Sequence, residues 1–338
     1  MLLRPYDQFT PLLMGDVPVD GAELEVDWKA PLSIRMPEDV DVAEVSFNRY
    51  VLARGRSEED LLGIPAYVLR GFRHRNFFVR RDSDLTELSQ LCGRRLATNS
   101  WSDSGTLWAR AALRDAGVGM DDVEWIVGQF DAHTASRPLY SGDLVPPADA
   151  TRLEDGDTLM QALLEGRVDA ITTAFAPPCV FTPDGPIRRL VLNYPAVEAA
   201  YHDRCGVYPA FHIMAFRRSY AMENPDIVVA TCVALRKSWE VWWLKARRFA
   251  EASPWSMADL DNMAGRFADD TPPFGQHSAG HRRMLKTICA EQYAQGLVPQ
   301  ATDPKSLFAG FDEVLGLCGL SEADLFTPDE LPSLGGRL

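Results

Sequence analysis

Nothing in this chain of 338 residues approaches the roughly 20 consecutive apolar positions that a membrane-spanning helix needs, so no membrane association is expected. Its six cysteines (Cys92, Cys179, Cys205, Cys232, Cys289 and Cys318) are scattered, and none stands in a C-x-x-C. That excludes a zinc knuckle or a thioredoxin-like motif and leaves reduced, mostly buried thiols as the expectation. Basic residues are the minority: 34 Lys and Arg against 48 Asp and Glu give a formal net charge of −14. A broad basic face for phosphate backbones is therefore excluded, and no nucleic-acid partner is expected. There is no G-x-G-x-x-G after a strand, no G-x-x-x-x-G-K-[ST], no H-E-x-x-H and no G-x-S-x-G. Rossmann dinucleotide binding, a P-loop, a zincin site and a nucleophile elbow all drop out. No residue set compels a metal or another cofactor. The opening MLLRPYDQF places Arg4 and Asp7 where a signal peptide would be apolar, which predicts a cytoplasmic protein.

What is present is an ordinary globular balance, 46% hydrophobic and 24% charged, in a chain long enough for two domains or one large one. Strand-like and helix-like stretches alternate through the first two thirds. Strand patterns fall at 23–28, 64–69, 76–79, 93–98, 123–127, 168–172, 187–192 and 211–217. Residues 41–53 start as a strand and turn helical. Helices are expected at 85–91, at 104–116 with Gly117 as its stop, and at 157–164. From Asn224 onward the period is helical, over 225–250, 256–266, 280–295 and 304–318. Alternation followed by helices predicts an α/β fold of mixed sheets flanked by helices, with a helical last third. Trp239, Trp242 and Trp243 have the spacing of a buried helix face. His133, His202, His277 and His281 lie in polar or helical contexts that predict surface positions. The tail after Phe326 reads as frayed.

Four clusters have the composition of a binding site. Arg73-His74-Arg75 concentrates positive charge in an acidic chain: arginine offers a planar fork for carboxylates, and histidine can move a proton near neutral pH. The alternative is a solvated basic turn. Residues 99–106 (NSWSDSGT) set Asn99, Ser100, Ser102 and Thr106 between a strand and a helix amino terminus, a natural anion site as well as a capping sequence. Tyr208 and His212 flank the entry to a strand, where a histidine is equally a core residue. Glu44, Ser46 and Asn48 stand at a strand-to-helix turn, where open α/β sheets bind ligands and where Ser46 also suits a cap.

In this order the clusters resemble the 4,5-dihydroxyphthalate decarboxylase family. The matching stretches are YDQFTPLLMGDVPVDGAEL, DVAEVSFNRYVLAR, IPAYVLRGFRHRNFFVR, LCGRRLATNSWSDSGTLWARAAL, TLMQALLEGRVDAITTAFAP, IRRLVLNYPAVEAAYHDRCGVYPAFHIMAFRRS and ENPDIVVA, spanning roughly residues 1–310. The resemblance implies a two-lobed, type 2 periplasmic-binding-protein-like fold, with residues 1–81 opening lobe one, 82–208 forming lobe two and 209–338 completing lobe one. It implies a ligand held between the lobes and loss of CO2 from a hydroxylated aromatic dicarboxylate without a cofactor. Arg73 would clamp a carboxylate, and His74 or His212 would deliver the proton. Ser100, Ser102 and Thr106 would hold the second carboxylate, and Tyr208 or Glu44 the ring hydroxyls. Ser46, Asn48, Arg75 and Asn99 would line the substrate. The loop 129–150 is where substrate selection is expected. A homo-oligomer is the expected assembly. The competing readings are a non-catalytic binding protein for an anionic small molecule, another lyase-type reaction on the same scaffold, and a metal site of Glu44, His74 and His212.

Overall fold

The computed structural model describes residues 1–22, 36–131, 146, 149–154, 156–249 and 253–327. The chain divides into two compact units. Unit 1 comprises Met1–Arg70, His212–Lys286 and Thr302–Leu338; unit 2 comprises Gly71–Phe211 and Thr287–Ala301. The strands are β1 Val42–Ser46, β2 Leu61–Gly63, β3 Leu69–Arg70, β4 Phe77–Arg80, β5 Arg95–Thr98, β6 Glu124–Val127, β7 Thr151–Arg152, β8 Ala170–Thr172, β9 Ile187–Arg189 and β10 Ala210–Arg217.

In unit 1 a four-stranded sheet runs β1-β10-β2, with β3 pairing β10 off that path. β1 stands at the end of this path yet is buried along its whole length. It pairs antiparallel with β10, with Ser46 opposite His212 and Glu44 opposite Met214. Side chains alternate faces along a strand, so Glu44, Ser46 and His212 share one face. The first residues of the chain lie along the other side of β1: Leu2 N–H donates to Val42 O and Glu44 N–H to Leu2 O. The 25-residue helix Pro225–Phe249 buries Trp239 and Trp243, whose rings stack 5.5 Å apart, while Trp242 is half-buried beside them.

In unit 2 a six-stranded mixed sheet runs β7-β6-β5-β8-β4-β9. β5 pairs parallel with β6 and β8, and β4 enters antiparallel against β8, with Phe77 opposite Thr172. Alternation splits the strands between two apolar layers. Phe77, Leu96, Trp125 and Ala170 pack on one face; Phe78, Ala97, Ile126 and Ile171 pack on the other. Because β4 runs opposite to β8, the residues just before β4 lie at the carboxyl edge of the parallel strands. That edge is where α/β sheets present ligand-binding loops.

The α/β pattern with mixed sheets and a helical last third is thus borne out, with local corrections. The strand expected at 64–69 is interrupted because Pro65 has no N–H for a ladder; Ile64 N–H still reaches Met214 O, and Ala66 turns back onto Ile64 O. The helix expected at 85–91 is a single 3-10 turn, Leu88–Leu91, and that expected at 304–318 begins at Ala309. Tyr194–Cys205 is a helix that periodicity does not announce, since its inward face carries Glu198, Tyr201 and His202 rather than an apolar stripe. Of the six thiols only Cys232 and Cys289 are buried. His202 and His281 are buried, not on the surface as expected, because each packs edge or face against an aromatic ring, Phe72 and Tyr67 respectively. The strand expected at 23–28, His133, most of the 129–150 loop and the tail lie outside the described residues. No helix among the described residues is long and apolar enough to cross a membrane.

Candidate active site

Unit 1 gathers three polar side chains on the β1–β10 sheet. Glu44, 4% exposed, takes His212 Nδ1 at 2.5 Å and the Tyr6 hydroxyl at 2.5 Å on the same carboxylate oxygen. Its other oxygen accepts Arg4 N–H at 3.0 Å. Burial pushes the Glu44 carboxyl up, but the hydrogen bond and charge attraction of His212, with the Tyr6 and Arg4 donors, outweigh it; the net shift is down. Glu44 is therefore a carboxylate with both oxygens engaged. Burial, followed by Glu44, pushes the Tyr6 phenol far upward, so it stays a donor. His212 Nδ1 faces the carboxylate oxygen as a donor. The ring nitrogen left for proton exchange is Nε2.

Unit 2 gathers the basic turn and the 99–106 loop. Arg73 lies over the Phe211 ring, its guanidinium carbon 3.8 Å from the centroid, and donates Nη1–H to Ala174 O at 2.7 Å. Nε is buried without a hydrogen-bond partner, and among the described residues no carboxylate pairs with the guanidinium. Burial lowers its pKa to about 10, against the attraction of Asp103, so it remains a cation at neutral pH. Gly105 is what lets the guanidinium lie here: a Cβ at 105 would stand 2.9 Å from Nη2. The helix Ser104–Asp115 opens beside it, capped by Asp103, whose Oδ1 accepts from Thr106 N–H at 2.6 Å and the Thr106 hydroxyl at 2.9 Å. Phe211, under Arg73, immediately precedes His212 in the chain.

The other expected residues fall into distinct settings. His74 is buried, with its Nδ1 unpartnered and its ring 5.1 Å from Tyr201; burial holds its pKa down to about 4, so it is a neutral imidazole at neutral pH. Arg75 is engaged by Glu198, which accepts from Nε with both oxygens at 3.0 Å. Asn99 and Ser100 are half-buried at the loop, and Ser102 is buried within it. Thr106 is tied to the cap. Tyr208 is half-buried against Phe72, ring centroids 5.2 Å apart. Ser46 and Asn48 are buried at the β1-to-helix turn. Glu44 and His212 meet in unit 1 while His74 belongs to unit 2. Among the described residues no group of three His, Cys, Asp or Glu forms a metal-holding set. Sequence reasoning missed Tyr6, which is 38 and 206 residues from its partners and so has no local signature. It also missed Arg110, a cation at zero exposure inside an amphipathic helix.

Interleaved chain segments building two α/β units with mixed sheets are the type 2 periplasmic-binding-protein-like architecture that the resemblance implied. The crystal structure of the desulfurization enzyme DszB aligns with 94% of this chain and 98% of its own, at a TM-score of 0.50 and 17% identity, a likeness of fold. No family model matches the chain. In sequence it is 23% identical over 314 residues to the 4,5-dihydroxyphthalate decarboxylase of Comamonas testosteroni, covering 90% of this chain and 93% of that protein. It is 26% identical over 208 residues to the 4,5-dihydroxyphthalate decarboxylase of Pseudomonas putida, covering 60% and 76%. The resemblance carried by the ordered clusters therefore extends along most of the chain.

Proposed function

We propose that this protein is a carboxy-lyase that decarboxylates a hydroxylated aromatic dicarboxylate of the 4,5-dihydroxyphthalate type. The observation that carries the reading is Arg73, a buried cation with no carboxylate partner among the described residues, a group that calls for an external anion. The names of the two relatives supply the substrate class. Arg73 takes one ring carboxylate in its planar fork, and the loop hydroxyls of Ser100 and Ser102 take part in holding the other. A hydroxyl para to the departing carboxylate pushes electron density to the ring carbon that bears it. His212 Nε2–H protonates that carbon, the C–C bond breaks, CO2 leaves with its oxygens, and the electron pair restores the aromatic ring. Glu44 holds Nδ1–H throughout, so the proton moves only at Nε2.

Of the two histidines, His212 is the acid. His74 is kept neutral by burial, and its Nδ1 has no hydrogen-bond partner to fix the proton on the other nitrogen. The test is to incubate the purified protein with 4,5-dihydroxyphthalate and follow CO2 and 3,4-dihydroxybenzoate together. Equimolar release of the two is the expected result. A thermal shift with the diacid and no CO2 would overturn the lyase reading and leave a binding protein.

A further inference from the structure

Arg110 sits at zero exposure on the helix Ser104–Asp115, where a cation has no ordinary reason to be. Among the described residues no carboxylate is in contact with it. Nη1 and Nη2 both donate to one acceptor, the carbonyl of Trp101, at 3.1 and 3.2 Å. Nε donates to Gln295 Oε1 at 2.7 Å, and the guanidinium carbon lies 4.2 Å over the Trp101 ring. Gln295 is locked in turn: its Nε2 donates to Leu107 O at 3.0 Å and to Glu291 Oε2 at 2.9 Å. Glu291 also pairs with Arg114 at 3.2 Å. The Trp101 ring is fixed edge-on against Trp125, centroids 5.1 Å apart. Trp101 is the centre of the loop from Asn99 to Asp103, so ring and carbonyl are both pinned while the serines on either side are carried with them.

A buried lysine would supply charge as well as arginine does, and an apolar residue would fill the volume at less cost. What neither does is grip one carbonyl with two N–H groups of a rigid fork converging on the same oxygen. We infer that Arg110 is a positioning residue for the anion-binding loop, acting through the Trp101 carbonyl, with Gln295 holding its guanidinium in register. This rests on the reading of Arg73 and the 99–106 loop as the carboxylate site.

The experiment compares Arg110→Lys, Arg110→Met, Gln295→Met and Arg73→Ala, with phthalate as an unreactive diacid in calorimetry and 4,5-dihydroxyphthalate in steady-state kinetics. If the loop is the site and Arg110 sets it, Arg110→Lys and Gln295→Met each raise the phthalate Kd and the KM by about tenfold, with kcat and its pH profile retained. Wild-type affinity in Arg110→Lys would mean that charge suffices, and would overturn the positioning role. Wild-type affinity in a folded Gln295→Met would do the same, and that variant decides the matter if the Arg110 variants fail to fold. Undiminished phthalate binding in Arg73→Ala would instead overturn the carboxylate site itself.

Discussion

One Glu44 oxygen receives both His212 Nδ1 and the Tyr6 hydroxyl, so removing its charge undoes the orientation of the imidazole while leaving its volume in place. Glu44→Gln and His212→Asn should each lower kcat by about 10²–10⁴-fold with little change in phthalate affinity, measured by turnover and calorimetry on the same preparations. Retained kcat in both would remove His212 from the chemistry. His74 and His281 make a separate prediction about stability. Burial lowers their folded-state pKa to about 4 and about 3, below the ordinary histidine value. Between there and pH 6.5 the unfolded chain binds more protons than the folded one. Stability is then complete above about pH 6.5 and declines as the pH falls, by about 3 kcal/mol for His74 alone at the bottom of the range. Urea midpoints recorded from pH 7 to pH 4 should fall less steeply in His74→Leu than in the parent; parallel curves would show that His74 does not titrate this way. Neither His281's burial nor Tyr6's role was legible, because each depends on partners more than 30 residues away.

Local pattern was enough to find most elements. β1 and its helix, β4, β5, β10 and the helix Ser104–Asp115 lie where alternation and period put them, and Gly117 at φ +82 stops that helix as expected. Two of the misses have a clear physical source: Pro65 breaks an apolar run that reads as a strand, and Tyr194–Cys205 buries polar side chains, leaving no stripe to detect. The Arg73 cluster was legible as charge and aromatic content. That Gly105 makes room for its guanidinium was not, since the two are brought together only by the antiparallel entry of β4. Gly105→Ala separates helix stability from binding. Alanine in the first turn should leave the stability equal or higher, by up to about 1 kcal/mol of helix propensity, read from urea midpoints. The added methyl displaces Arg73 Nη2, and phthalate affinity should drop at least tenfold, the scale of one charge-assisted hydrogen bond. Unchanged affinity would mean that Arg73 relaxes without leaving its working position.

At the scale of the whole chain, the two units are stitched from alternating segments, with Thr287–Ala301 belonging to unit 2 between two segments of unit 1, an arrangement that no local pattern encodes. Charge, by contrast, was fully legible, and it sets a condition on the proposed substrate. A dianion must approach a molecule of net charge −14. The surface carboxylates that repel it are solvent-exposed and are screened beyond a Debye length, about 30 Å at 0.01 M salt and about 8 Å at 0.15 M. Arg73, buried over Phe211 and capped by Gly105, is screened far less. Raising the salt therefore removes more repulsion than attraction. kcat/KM for 4,5-dihydroxyphthalate should rise about threefold between those two ionic strengths, while a neutral diester of the same acid binds with no salt dependence. A fall in kcat/KM over the same range would mean that the cationic cluster of unit 2 projects its field into solvent and steers the substrate inward. In that case the acidic surface would be arranged around the site so as to focus that field.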